Sequence, residues 1–390
     1  MQADNLHKRL AMPLYLPAML LGTPAQASLV LLPLYVLQLG GSPSAAAAVI
    51  GMRALGMLTV DVPAGMLATK FGDKTVMLAA IAAIALSHLA FGLCGQIWLL
   101  YVIAFFYGAG GSSFLLGRMS YITDTLPAAE RGRVIAMIAG SMRASALVGP
   151  ALGALIAQRF GYDAAFYTGA LLAFSSWFCV SKFAVFEVVQ QDYVPWSMVK
   201  RIASDHRGVF VTAGTAAVLF MLLRSARTVL VPLIGSQLSL DTQTIGLVVS
   251  ISAAVDMAMF YPAGLMMDKL GRRATAIPSS ILFTFALSLL SLTTNFNSLL
   301  AVAIFLGFAN GLSAGIVMTL GTDLAPPKQR AGFLGLWRLL TDIGTSAGPM
   351  VVGAVTVVAP LSVAALAVSG IGAVGCIVIY RYVEETLIKS

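Results

Sequence analysis

The chain has 390 residues, of which 59% are hydrophobic and only 10% charged, with a formal net charge of +8. So apolar a chain has too little polar side chain to cover a water-exposed surface, which excludes a soluble globule. The basic residues sit in short clusters between apolar runs, so the positive charge reads as membrane topology and not as a nucleic-acid surface.

A bilayer core about 30 Å thick needs roughly 20 helical residues per crossing. The apolar segments are long and continuous, not alternating runs of about 10 residues, which selects helices over a membrane barrel. Charges, Gly/Pro clusters and polar turns bound spans at 11–39, 44–68, 75–95, 97–122, 132–158 and 163–185. After the polar stretch EVVQQDYVPWSMVKRIASDHRG, six more follow at 209–238, 243–266, 275–294, 298–320, 332–358 and 360–382. The expected fold is an all-α polytopic membrane protein of twelve transmembrane helices: a six-helix half over 1–185, a linker over 186–208 and a second six-helix half over 209–390. Cys94, Cys179 and Cys376 lie inside apolar segments at unrelated spacings, so neither a disulfide framework nor a metal site is expected.

The loops alternate in charge. One set holds Lys8, Arg9, Lys70, Lys74, Arg131, Arg133, Lys200, Arg201, Arg207, Lys269, Arg272, Arg273, Lys328, Arg330, Arg381 and Lys389, and the other holds only Arg159. By the positive-inside rule both termini and the middle loop are expected on the cytoplasmic side of a cell membrane.

The start of the chain resembles a secretion signal, with His7, Lys8 and Arg9 before an apolar run and a small-x-small site at Ala25-Gln26-Ala27. An internal repeat decides otherwise. Pro33 matches Pro232, Gln38 matches Gln237, Gly65 matches Gly264 and Gly72 matches Gly271. Asp124 matches Asp323, Arg131 matches Arg330 and Gly149-Pro150 matches Gly348-Pro349, always 199 residues apart. On this register residues 11–39 are the equivalent of the seventh span, and an uncleaved first span is expected.

Six plus six helices as parallel halves is a known arrangement in secondary transporters, and the motifs sharpen the match. PAGLMMDKLGRR at 262–273 resembles the loop signature of the major facilitator superfamily, with PAGMLATKFGDK as its first-half copy. DTLPAAERGRVIA and DLAPPKQRAGFLG are similar to that family's connections between the fourth and fifth and the tenth and eleventh helices. The resemblance covers the whole chain and points to the drug and metabolite proton-antiporter branch. It implies a gating loop built on Gly264, Asp268, Gly271, Arg272 and Arg273, and a first-half copy on Gly65 and Gly72 in which Thr69 replaces the acid and Asp73-Lys74 the basic pair. Asp124 remains available there to Lys70 or Lys74, and Arg131 belongs to the following connection. GSMRASALVGPALGA in the fifth span is similar to the family's glycine-proline motif of antiport, with Gly149 and Pro150 at its centre; the eleventh span has its own copy, GTSAGPMVVGA. The family's arginine in the fourth span is replaced by Ala104, so proton coupling would need other charges.

Charges deep in a span cost at least a few kcal/mol each and are functional candidates by default. They are Arg53 and Asp61 in span 2, Arg118 in span 4, Arg143 in span 5, Arg224 and Arg227 in span 7, Asp256 in span 8, and Arg338 and Asp342 in span 11. The family fold implies that spans 2 and 11, and spans 5 and 8, meet between the halves. Asp256 and Asp342 are therefore the expected proton carriers, paired with Arg143 and Arg338, with Asp61 third. Arg53, Arg143, Arg224, Arg227, Arg338 and Gln26 are the expected cavity residues, and the surplus of arginine over acid suits an anionic or zwitterionic substrate. Arg118 is expected to close onto Asp124 as a gate or helix anchor. His88, in a peripheral span, reads as a packed histidine.

No P-loop, nucleophile elbow or zinc spacing stands out, so an enzyme is not expected. The reading is a monomeric, cofactor-free inner-membrane transporter of a small molecule, in contact with lipid and not with nucleic acid, exporting against a proton gradient. Import or uniport of a metabolite, and a transporter-like sensor, remain as alternatives.

Overall fold

The computed structural model describes residues 10–184 and 196–386, except the side chains at 62, 64–66, 68–70, 128–129, 196–197, 328 and 331. Lys8, Arg9, Lys389, positions 186–195 of the expected linker, and the surroundings of Gly65, Thr69, Lys70 and Lys328 lie outside the described residues.

The described chain is helical and contains no strand. Among the described residues twelve helices are long and apolar enough to cross a bilayer. Spans 1 to 6 are Ala11–Gln38, Pro43–Phe71, Asp73–Leu93, Ile97–Thr125, Ala128–Phe160 and Tyr162–Phe183. Spans 7 to 12 are Arg207–Gln237, Thr242–Lys269, Arg272–Leu290, Phe296–Leu324, Arg330–Val358 and Leu361–Tyr382. The chain is a multi-pass membrane protein of the expected twelve-helix class. It divides into two compact units, one of Met1–Tyr193 with Asp241–Ser250 and the other of Val194–Leu240 with Ile251–Ser390.

The 199-residue register reappears in backbone geometry. A π-helical turn opens span 1 at Ala11–Tyr15 and span 7 at Phe210–Gly214. The turns that open spans 3 and 9 need a positive φ, supplied by Gly72 at +81° and Gly271 at +113°. After span 1 Gly40 has φ +82°, and Ser239 takes the equivalent left-handed place at +59°.

Small residues set the packing inside each unit. In the first, an added Cβ on Gly108 would lie 1.8 Å from the Arg53 carbonyl oxygen, and one on Gly56 would lie 1.9 Å from that of Phe105, so spans 2 and 4 touch backbone to backbone. In the second, Gly307 stands in the same way 2.2 Å from the Ser252 oxygen and Gly311 2.5 Å from that of Asp256, joining spans 8 and 10.

Two features differ from the sequence reading. Span 10 is interrupted: its helix runs Phe296–Leu312, turns through Ser313, Ala314 and Gly315, and resumes as Ile316–Leu324, with Gly315 at φ +85°. Span 4, its repeat, is continuous. The polar stretch between the halves contains an amphipathic helix, Trp196–Asp205. Ile202 seats it in a cluster with Phe333 and Trp337, while Lys200 and Arg201 are exposed. Hydropathy averaged over a whole segment hides a short amphipathic helix.

Candidate functional site

Eight of the span charges, Arg53, Asp61, Arg143, Arg224, Arg227, Asp256, Arg338 and Asp342, are half-buried, and Arg118 is only 3% exposed. In the first unit Arg53 and Asp61 share span 2 and both turn to span 4. The Arg53 guanidinium carbon lies 5.4 Å from the Tyr107 ring centroid, a cation–π contact. Asp61 accepts a hydrogen bond from Ser112. His88 is packed as expected. Its Nδ1 lies 3.0 Å from the Ile84 carbonyl and its Nε2 3.3 Å from Ser28 Oγ. Its ring stands edge-on to Tyr107 at 4.9 Å.

Arg118 does not close onto Asp124. Its NH2 group points at Met142 Sδ, 3.7 Å away, and its guanidinium lies over the Phe114 ring at 5.4 Å. The two residues are six apart, which places them roughly 120° apart around a helix. Asp124 instead meets Ser120 Oγ at 3.3 Å, and the same hydroxyl lies 2.7 Å from Asp73 Oδ2, so two carboxylates converge on one serine. Lys74 Nζ donates to the Ala184 carbonyl at 3.2 Å. Arg131 caps the end of span 4, donating to the Leu126 and Thr123 carbonyls at 2.9 and 2.6 Å.

In the second unit Asp256 Oδ2 accepts from Asn310 Nδ2 at 2.7 Å. One helical turn away, Arg227 donates to the Leu306 carbonyl at 3.2 Å. Spans 7, 8 and 10 thus bring a carboxylate, a carboxamide and guanidinium together just before the turn at Ser313. Arg338 and Asp342, one turn apart on span 11, pair at 3.5 Å.

The loop motif of this unit keeps the expected pairing of Asp268 with Arg272 and adds a second acid. Asp268 is largely exposed and 3.8 Å from Arg272, whereas Asp323 pairs with Arg272 Nε at 3.0 Å and is the closer acid. The C-terminal segment completes the cluster. Glu385 accepts from the backbone N–H groups of Arg272 and Arg273 at 2.8 and 3.0 Å, capping span 9, and Thr386 donates to Asp323 at 2.8 Å. Arg273 donates to the Tyr380 carbonyl.

The two glycine-proline motifs pack alike. A Cβ on Gly149 would lie 2.5 Å from the Thr23 carbonyl oxygen and 3.0 Å from Gln26 Cβ in span 1, which puts half-buried Gln26 at this contact. One on Gly348 would lie 2.5 Å from the Leu222 carbonyl oxygen in span 7. Pro150 and Pro349 lie inside these helices, and Gly264 has open space where a Cβ would stand. Tyr107, Ser112, Asn310 and Glu385 escaped the sequence reading. Asn310 alone left a signal, as the one carboxamide in the apolar run LGFANGLSAG.

Comparisons with known proteins agree with this architecture. The family model of the Major Facilitator Superfamily matches residues 14–193 and 213–390. Similar curated proteins include the multidrug resistance protein MdtH of Enterobacter sp. (strain 638), 22% identical over 321 residues, covering 80% of this chain and 78% of that protein. MdtH of Yersinia pestis (strain Pestoides F) is 22% identical over 325 residues, with the same coverage. Among solved structures, the nucleoside transporter NupG aligns with a TM-score of 0.79 at 14% identity, over 96% of this chain and 100% of that one. A D-xylose-proton symporter aligns at 0.73 and 16%, over 99% of each chain. At these identities the solved structures share the fold, and the family match over both halves carries the assignment: the chain is a membrane transporter of the Major Facilitator Superfamily.

Proposed function

We propose that this transporter exports a small amphiphilic, anionic or zwitterionic compound in exchange for protons, by alternating access of its two halves. It works as a monomer in the inner membrane with both termini cytoplasmic, drawing on the proton gradient and no cofactor. The observation that carries the proton-coupling reading is the membrane-embedded Asp256, held by Asn310. Protonation would remove the negative charge to which the Asn310 amide donates, giving the two protonation states different preferred conformations. Asp342, paired with Arg338, is the second carrier and Asp61 the third. The surplus of arginine supports the anionic substrate class. Export is supported by the naming of the MdtH relatives as multidrug resistance proteins. The glycine-proline motif lends it no weight, because Gly149 and Gly348 make the same close contact in both units.

The test is reconstitution into liposomes under an imposed pH gradient, following lumenal pH while pooled organic anions and then lipophilic cations are added. Proton movement evoked by anions, and abolished by Asp256→Asn, is the expected result. Unchanged pH-driven transport in both Asp256→Asn and Asp342→Asn would remove the carrier assignment. Flux in oriented vesicles separates export from import.

A further inference from the structure

Arg118 is the most buried of the span charges, and among the described residues it has no carboxylate partner. Arg338 has Asp342 and Arg227 has the Leu306 carbonyl, while Arg53, whose Nε is also buried without a hydrogen-bond partner, lies over the Tyr107 ring and is half-buried. Arg118 has only a thioether at 3.7 Å and an aromatic face at 5.4 Å, and its Nε is buried with no hydrogen-bond partner. A guanidinium offers five N–H donors, and a thioether is a weak acceptor. The packing of this position does not call for a cation either. The 199-residue register places Val317 at the equivalent point of span 10, partly buried against an apolar cluster. An arginine that the fold does not need, in a place where an unmatched charge is costly, has the chemistry of a ligand site.

We propose that Arg118, on span 4 with Phe114 beneath it and Met142 of span 5 beside it, anchors an anion site that takes a carboxylate or phosphate group. Stacking on Phe114 uses the flat face of the guanidinium and leaves its edge for a two-pronged contact with two oxygens. The inference deepens the anionic substrate class proposed above and rests on that reading for its physiological ligand, but binding at Arg118 is measurable without transport.

The experiment is thermal unfolding of the purified full chain in an uncharged detergent at constant ionic strength, with chloride replaced by sulfate, inorganic phosphate or benzoate. In the wild type one or more of these probes should raise the midpoint by several degrees relative to chloride. Arg118→Met removes the uncompensated charge while keeping the volume, so it should start at a higher midpoint than wild type and show no anion-dependent shift. Arg118→Lys keeps the charge without the fork and should retain a weaker shift. Equal anion shifts in wild type and Arg118→Met, no shift in wild type with any anion or lipid, or a lower midpoint of Arg118→Met in chloride would each overturn the proposal. A second arm adds phosphatidylglycerol or phosphatidylcholine to the micelles. A shift with phosphatidylglycerol alone, lost in Arg118→Met, keeps the site and makes its ligand a lipid phosphate. Proton flux in liposomes is scored separately, so a transporter that moves protons without anion binding at Arg118 defeats this inference alone, and an anion site in a protein that moves none defeats the transport reading alone.

Discussion

A charge inside a spanning helix is tolerated when something meets it, and neutral groups are among the partners here: the Tyr107 ring for Arg53, Ser112 for Asp61, Asn310 for Asp256, a carbonyl for Arg227. Sequence exposed the charges because they are rare in apolar runs, but a serine, a tyrosine or a backbone oxygen carries no such flag. Spacing along one helix did identify Arg338 with Asp342 and misled for Arg118 with Asp124, where the angular separation of six residues outweighs their nearness in the chain. Contact at single glycines is testable at the same scale. Gly108→Ala would push a methyl into the Arg53 carbonyl and should cost about 1–3 kcal/mol in detergent unfolding. Gly111→Ala, one turn along the same helix with open space where its Cβ would stand, should be neutral or gain up to about 1 kcal/mol from helix propensity. Equal effects of the two would mean that spans 2 and 4 are not in backbone contact.

At the scale of elements, helix lengths and positions were legible because apolar run length is a direct signal of a span. The interruption of span 10 was not, because Gly311, Ser313 and Gly315 lie in a segment that is apolar enough over its whole length to read as one span. The C-terminal segment was equally silent, since two glutamates after the last span, Glu384 and Glu385, form no pattern. Its role follows from geometry: the Glu385 carboxylate accepts both first N–H groups of span 9, groups that a helix start leaves unsatisfied, and sits where the helix dipole favours a negative charge. Glu385→Gln should therefore raise the hydrogen-exchange rates of the Arg272 and Arg273 amides severalfold, while amides in the middle of span 9 stay protected. No change at those two amides would mean that the strap is not closed in solution.

At the scale of the whole molecule the repeat is the strongest regularity, and one contact shows that it extends to side-chain volume. Gly22 and Ser145 face each other between spans 1 and 5, and an added Cβ on Gly22 would meet Ser145 Oγ at 2.8 Å and Cβ at 3.0 Å. The register maps Gly22 to Met221 and Ser145 to Gly344, and there an added Cβ on Gly344 would lie 3.0 Å from Met221 Cβ. One half places the bulk on the fifth helix of the repeat and the other on the first, so the same gap is filled from opposite sides. Among the described residues, both obstacles that other helices present to a side chain at Gly22 belong to Ser145. Gly22→Met alone should thus lower stability by about 1–3 kcal/mol. Adding Ser145→Gly, which copies the second half into the first, should recover most of it, with a coupling of about 1–3 kcal/mol in the double-mutant cycle. Additive losses would show that the two halves reach the same fold through unrelated packing, and that the 199-residue register ends at the backbone.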